Sequence, residues 1–581
     1  MNRFDQDSRD AIAQKGTMPE AERLRRAFDL VWDNQMEEFP EQATGAGYGR
    51  YQDRWTDWAD SAIERRRQRP VIIKALLGSF DRDSLSEGDQ LSYDLLMRQA
   101  EIAEQESRHD DILLPISQMH GPQQEVPRIL ELMPMRRGED RAAVLARLER
   151  VPALIDQTIV LLERGLGKGV TFPKVCLRDL PSQVAALLTA APGESALLAF
   201  LSRRPSGVGE QVWREFSRSC ESLCLQVVMP AFKRLQAFLT ERYIPGCTER
   251  TGWLHMPNGA EWYRFIVQRE TTTDLSPDDI FGIGMTEVAR IRAEMERVMR
   301  QTGFAGTFDQ FCEHLRTDSK FFFTSADDLV RAYRDIAKRA DPELVKLFGT
   351  LPRLPYGVVP IPPHAEKSQT TAYYQPGAPA AGRPGYYYVN TYDLPSRPKW
   401  EMEALSLHEA VPGHHLQIAR MQELTDLPEF RRQSWITAYG EGWALYAESL
   451  GADMGFYSDP FALFGALTYD MWRAIRLVVD PGMHHRGWSR EQAITFFRQN
   501  SSKSLHDITV EIDRYLVWPG QALSYKIGQL RIQAMRADAE ATLGERFDLR
   551  AFHDTLLGSG CVPLDVLESL VRRWVAAQRE R

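Results

Sequence analysis

Apolar residues recur at intervals of three and four from about Glu20 to Arg300, and again from Trp400 almost to Arg581. A stripe with a period near 3.6 residues can be buried along its whole length only by a helical backbone. The chain is therefore expected to be mainly α. Interruptions are expected near Asp459-Pro460, Asp480-Pro481-Gly482 and Trp518-Pro519-Gly520, because proline lacks the amide that a helix interior needs. One helix can be read closely. Ser276 suits its N-cap, Pro277 its first turn, and Asp278 and Asp279 the positive end of its dipole. Ile280, Ile283, Val288, Ile291 and Met295 then line one face.

The exception is Leu351–Leu394, which holds eight prolines, many tyrosines and the β-favouring runs Tyr356–Ile361 and Tyr386–Thr391. A small sheet with loops is expected there. There is no internal repeat and no low-complexity tract, so the division expected is a helical region over 1–350 and a second region over 351–581, together one compact two-lobed unit.

The charge pattern narrows the partners. A formal net charge of −9 is spread along 581 residues with no basic stripe, so nucleic acid is not an expected partner. The segment Met1–Gly16 is polar, and no run of about 18 apolar residues occurs. No membrane association and a cytoplasmic location are expected. Six cysteines are scattered without a C-x-x-C pair; even Cys220 and Cys224, at helical i,i+4 spacing, are expected to be packing residues.

The informative segment is Leu407-His408-Glu409-Ala410-Val411-Pro412-Gly413-His414-His415-Leu416-Gln417. It starts like H-E-x-x-H, in which two histidines one helical turn apart bind zinc and the glutamate serves as general base. The fourth residue after His408 is Pro412, however, which cannot ligate and disfavours a regular helix. On an ideal helix His414 would lie about 9 Å along the axis from His408 and His415 about 10.5 Å, neither a one-turn pair. A two-residue looped insertion at Pro412-Gly413 would bring His414 into place, so His414 is the favoured second ligand and His415 the alternative. Glu441, in Tyr439-Gly440-Glu441-Gly442-Trp443-Ala444, is expected to be the third, leaving one tetrahedral position open. Glu448, two helical turns on, is expected to hold a ligating histidine.

Long stretches carry a family resemblance: Tyr387-Tyr388-Val389-Asn390-Thr391, Leu407 to Gln417, Glu441-Gly442-Trp443-Ala444, Arg476-Leu477-Val478-Val479-Asp480, and Asp513-Arg514-Tyr515 through Pro519-Gly520-Gln521-Ala522-Leu523-Ser524-Tyr525-Lys526. Over nearly its whole length the chain resembles the bacterial "domain of unknown function 885" proteins, and more distantly angiotensin-converting enzyme and related helical carboxypeptidases. This implies a mainly α, zincin-like body with a cleft, one side of which the region 1–350 would form, and a small sheet before the motif helix. It also implies that Tyr515 stabilises an oxyanion, that His506 and Lys503 hold substrate backbone or carboxylate, and that Arg514 lies beside them. His484 is expected to line the site, His485 less so. Tyr525 and Lys526 are expected to face the cleft, and Tyr386–Thr391 to be an edge strand along which an extended peptide lies, with Asn390 contacting its amides.

The activity expected is zinc-dependent hydrolysis of a peptide or peptide-like amide, with Glu409 deprotonating a zinc-bound water. The partner would be a short peptide or similar small molecule. Two other classes fit less well. A non-haem iron oxygenase would also use histidines and a carboxylate, but normally on paired Glu-x-x-His helices. A non-catalytic metal- or peptide-binding protein would have no use for Glu409 next to the first ligand.

Overall fold

In a computed structural model that describes residues 3–189, 192–362, 366, 370–378 and 382–580, 70% of the chain is helical and the only sheet among the described residues has three strands. No helix among those residues is long and apolar enough to cross a membrane. The chain divides into two compact units, one built from the described residues of Met1–Thr251 with His255–Gly259 and Pro428–Phe430, the other from Gly252–Leu254, Ala260–Leu427 and Arg431–Arg581. The helices between 260 and 350 thus belong with the motif segment, whereas the sequence placed the line at 350.

The first unit is helical throughout. Its amphipathic helices Glu20–Glu38 and Asp60–Leu77 enclose Leu24, Phe28, Val31, Ile73 and Leu76, and Phe430 closes that core with its ring 5.2 Å from Phe28. Five of the six cysteines lie in helices or next to them, and all six are free and buried. Burial pushes the Cys220 thiol up to about 12, so it behaves as an apolar packing group.

In the second unit, helix α1 (Pro277–Gln301) begins as expected, with Ser276 and Asp279 forming a reciprocal capping box. Helix α2 (Ala326–Ala340) leads to the sheet. Strands β1 (Tyr356–Pro360), β2 (Ala372–Gln375) and β3 (Gly385–Val389) lie in the order β1-β3-β2, β1 parallel and β2 antiparallel to β3. Strand β3 is therefore central. Tyr386–Thr391 is not an edge strand, and a peptide cannot add to it because both sides of β3 are paired. Its alternate residues separate cleanly: Tyr387 is buried against Tyr333 of α2, while Tyr388 stacks on Tyr373 of β2 with centroids 5.0 Å apart.

Helices α3 (Met402–Glu409), α4 (His414–Gln422), α5 (Thr437–Ser449), α6 (Pro460–His484), α7 (Leu505–Val517) and α8 (Leu523–Leu543) complete the frame. The break expected at Asp480-Pro481-Gly482 does not occur, since α6 continues through Pro481 to His484. Pro481 falls in the last turn, so the helix runs on to His484 with only the bond to the Leu477 carbonyl given up, and Gly482 lies against the Trp488 ring, where a Cβ would come within 2.9 Å. Helix α1 crosses α6 at Gly284, where a Cβ would lie 2.7 Å from that of Leu477. Helices α5 and α8 meet at Gly442 and Gly528, with room for only 2.5 Å between an added Cβ and the Gly528 Cα.

Asp480, wholly buried in α6, accepts from Tyr263 Oη at 2.5 Å and from the Gly520 amide at 3.1 Å. Burial raises its carboxyl to about 7 against the lowering effect of these donors. The folded chain thus holds a proton that the unfolded chain releases near pH 4, so stability falls as pH rises from about 4 to about 7, by roughly 1 kcal/mol per pH unit, and is flat above. Asp480→Asn keeps an acceptor for both donors and removes the titration. Thermal melts between pH 4.5 and 7.5 should show the wild type losing stability relative to the variant as pH rises; parallel curves would show that Asp480 ionises normally.

Candidate metal centre

Helix α3 stops at Glu409 because the backbone leaves the helical region at Ala410 (φ −97, ψ −110) and again at Gly413 (φ −76, ψ −130). The Val411–Pro412 peptide between them is cis. Gly413 passes so close to the carbonyls of Leu407 and His408 that a Cβ there would overlap both. Helix α4 then starts at His414, its second amide, that of His415, closing back on the Ala410 carbonyl at 3.0 Å, while Trp443 Nε1 of α5 holds the Pro412 carbonyl at 2.9 Å. The two extra residues are taken up in this loop, and the rings of His408 and His414 come to 4.8 Å, edge to face.

Both imidazole Nε2 atoms lie 3.4 Å from Oε2 of Glu441 on α5. The three donor atoms form a group compact enough to hold one ion, and tetrahedral zinc with bonds of about 2.0–2.1 Å sets its ligand atoms about 3.3 Å apart. His408 Nδ1 meets Glu448 Oε1 at 2.8 Å, which orients the ring and directs the Nε2 lone pair at Glu441. Glu441 Oε2 is buried and has no hydrogen bond. Lone pairs facing each other at this distance repel unless a cation or an added proton lies between them. The surroundings demand positive charge: burial opposes the charged form of His408, yet Glu441 and Glu448 outweigh it and raise the imidazole to about 9. Burial likewise opposes the Glu441 carboxylate, but His414 and His408 hold it well below the usual range. The residues fit a divalent cation.

His415 faces the other way, its Nδ1 bonded to Tyr374 Oη at 2.8 Å and its ring 4.5 Å from that of Tyr356. Glu409, half-buried, accepts the Tyr374 amide of β2 at 2.9 Å, and burial raises its carboxyl.

The remaining residues named from sequence are distributed more widely. Tyr515 is enclosed, its hydroxyl donating to Glu511 at 2.6 Å and accepting from Arg476 Nε at 2.8 Å and Trp472 Nε1 at 3.2 Å. It has no capacity left for an oxyanion. His484 is a structural residue and not a catalytic one: Nδ1 accepts the Trp253 amide at 3.2 Å, Nε2 bonds the Tyr515 carbonyl at 3.0 Å, and burial lowers it to about 4, so it stays neutral with both nitrogens engaged. His485 meets Asp278 at 3.2 Å on the surface. Asn390 is a loop staple and not a substrate contact, donating to the Glu366 and Thr370 carbonyls and accepting the Tyr392 amide. Lys526 is buried among Asp470 at 2.5 Å, Glu287 at 3.0 Å and Gln529 at 2.8 Å, tying α8 to α6 and α1, and does not face a substrate. His506 is exposed in the first turn of α7, and Lys503 is paired with both oxygens of Glu401 at 2.8 Å. Arg514 bonds Gln521 Oε1 at 2.6 Å and lies 3.3 Å from Glu511.

Tyr525, and not Tyr515, lies within electrostatic range of the candidate cluster's Glu441. Three residues before the Gly442–Gly528 crossing, it has a hydroxyl raised by burial first and by Glu441 next. Sequence reasoning named Tyr525 for the cleft but gave no role to Arg473 and Arg476 of α6, whose guanidinium carbons lie 5.9 and 4.5 Å from its ring. The signal was there: two arginines at i,i+3, flanked by Trp472, Ala474, Ile475 and Leu477, in a 25-residue helix.

A family model described as "Bacterial protein of unknown function (DUF885)" matches residues 40–571. A crystal structure of a "putative lipoprotein" from Colwellia psychrerythraea superposes with a TM-score of 0.91 at 25% identity, over 96% of this chain and 100% of that one. A second "putative lipoprotein of unknown function", from Shewanella oneidensis, gives 0.69 at 17% identity over the same shares, which shows the shared fold. No curated protein matches.

The geometry separates the two candidate histidines by experiment. His414→Ala and His408→Ala should each lower bound zinc, measured by elemental analysis after dialysis against a weak chelator, to well below half an ion per chain. His415→Ala should leave zinc content unchanged, and Glu448→Gln should weaken zinc binding by about 10–100-fold. Full loss of zinc in His415→Ala with retention in His414→Ala would reverse the assignment.

Proposed function

The chain belongs to the bacterial family of unknown function DUF885, and we propose that it is a zinc-dependent hydrolase of peptide or peptide-like amide bonds, with the ion held by His408, His414 and Glu441. The observation that carries this is the pair of imidazole Nε2 atoms converging at 3.4 Å on one unbonded carboxylate oxygen, with Glu409 next in sequence to the first histidine. Zinc bound there would lower the pKa of a water toward neutrality and polarise a carbonyl.

The chain's own groups do the rest. Glu409 lies off the ligand face of α3, so it reaches a water and not the ion. The Tyr374 amide holds its Oε2 and leaves Oε1 to take the proton as the water oxygen attacks the carbonyl carbon. Glu409 then passes that proton to the nitrogen of the breaking C–N bond. Tyr525, within electrostatic range of Glu441, takes the role expected of Tyr515 and donates to the developing oxyanion. Two histidines and one carboxylate also suit ferrous iron; Glu409 favours hydrolysis, and elemental analysis of the protein purified without added metal decides between the ions. The Colwellia psychrerythraea protein is described as a "putative lipoprotein", which fits this activity to the cell envelope as readily as to the cytoplasm expected from sequence.

Glu409→Gln preserves size and an acceptor for the Tyr374 amide while removing the base. Zinc content and melting temperature should stay near wild type, while cleavage of a mixed short-peptide library, read by mass spectrometry, should fall by about 10²-fold or more. Equal cleavage by both proteins would exclude Glu409 as the base, and no cleavage by zinc-replete wild type would remove short peptides as substrates.

A further inference from the structure

A chain of contacts leads from the metal cluster to a second polar group. Glu448, which holds His408, also lies 3.4 Å from Arg473 Nη2. One turn along α6, Arg476 donates Nε to Tyr515 Oη at 2.8 Å and Nη2 to Glu511 Oε2 at 3.2 Å, and its guanidinium carbon lies 5.3 Å from the centroid of the Trp472 ring as well as 4.5 Å from that of Tyr525. Three guanidiniums (Arg473, Arg476, Arg514) thus share two carboxylates (Glu448, Glu511), and one of those carboxylates already serves His408. One positive charge is in excess.

The donors are in excess too. Arg476 is 4% exposed and its Nη1 has no hydrogen-bond partner, nor does Nε of Arg473, which is 6% exposed. An unmade hydrogen bond on a buried cation is expensive enough that a native structure normally fills it. A monoanion matches the single surplus charge, and a carboxylate matches the planar donors of a guanidinium. The group is bordered by Trp472 and Tyr525, both only partly buried.

We propose that Arg476, with Arg473, is the seat of a substrate carboxylate, namely the free C-terminus of a peptide, so that the chain trims peptides from that end. The trimming rests on the hydrolase proposed above; the carboxylate seat does not. It replaces Lys503, which Glu401 neutralises.

The test is a calorimetric titration of Ala-Ala-Ala as the free acid, of its C-terminal amide, and of Ala-Ala-Glu amide into the Glu409→Gln chain, with zinc and stripped of it. The acid should bind about 10-fold or more tightly than Ala-Ala-Ala amide in both metal states, a difference of about 1.4 kcal/mol. Arg476→Lys, which keeps the charge and the fold but loses the planar donors, should reduce that advantage to about 3-fold or less. Equal binding of acid and amide by the parent protein, or binding of neither, overturns the seat without recourse to any variant. An advantage present only with zinc and unchanged in Arg476→Lys overturns it as well, because the carboxylate is then on the ion. Ala-Ala-Glu amide binding as tightly as the acid would overturn the C-terminal assignment. Acid preference in a chain whose wild type cleaves nothing would leave the seat standing while the hydrolase falls; indifferent cleavage of acid and amide would do the reverse.

Discussion

The candidate centre depends on a single close passage of backbone. Between Glu409 and His414 the chain has to leave a helix, take up two surplus residues and re-enter with a histidine on the inner face, all within one turn's length. Gly413 makes this possible because its backbone presses on the carbonyls of Leu407 and His408, where no side chain fits. Trp443 fixes the loop from the next helix. Strand β2 is aligned by the same device, since its Tyr374 amide meets Glu409 and its Tyr374 hydroxyl meets His415. The histidine that does not join the cluster is thus used to orient the sheet.

Charge organises the remaining frame. Buried groups of opposite sign tie α6 to its neighbours in two places: Lys526, Asp470 and Glu287 join α8, α6 and α1, and Arg473, Arg476, Glu448 and Glu511 join α6, α5 and α7. The first is complete, because every donor of Lys526 has an acceptor. The second is not, and buried ionic groups without full pairing are costly to a fold. Arg476 sits in α6 between Ile475 and Leu477, where its unfilled Nη1 costs the fold and gains no packing that an apolar residue would not supply. Its presence there is what a binding role explains and packing does not.

Much of this was legible in sequence, and the failures have physical causes. Helical periodicity located α1 and its cap to the residue, and the tyrosine- and proline-rich stretch located the sheet, because both signals are local. The proline in H-E-x-x-P was enough to foresee a loop, and a two-residue insertion there favoured His414 while leaving His415 as the alternative, since an unbroken helix would have suited neither. Pro481 misled because a proline in a last turn has the same sequence signature as one that ends a helix. Tyr386–Thr391 misled because nothing local tells a central strand from an edge. Tyr515 and Tyr525 were harder still: that the Tyr515 hydroxyl is used up by Arg476, Trp472 and Glu511 depends on how α6 and α7 pack, and the placing of Tyr525 depends on how α8 lies on α5, a long-range contact between two glycines. Asn390, His484 and Lys526 are polar residues in conspicuous motifs, but most of their partners come from segments about 20 to more than 200 residues away.

That glycine contact makes the site a matter of rotational phase. Gly528 fixes which side of α8 touches α5, and Tyr525, three residues earlier, is thereby set at the roughly 300° that three helical steps turn through. One residue more or fewer between them would swing the tyrosine by about 100° around α8 without breaking either helix. Drift in length can accumulate in the connecting loops without consequence for the site, but these four residues, Tyr525 to Gly528, behave as a ruler.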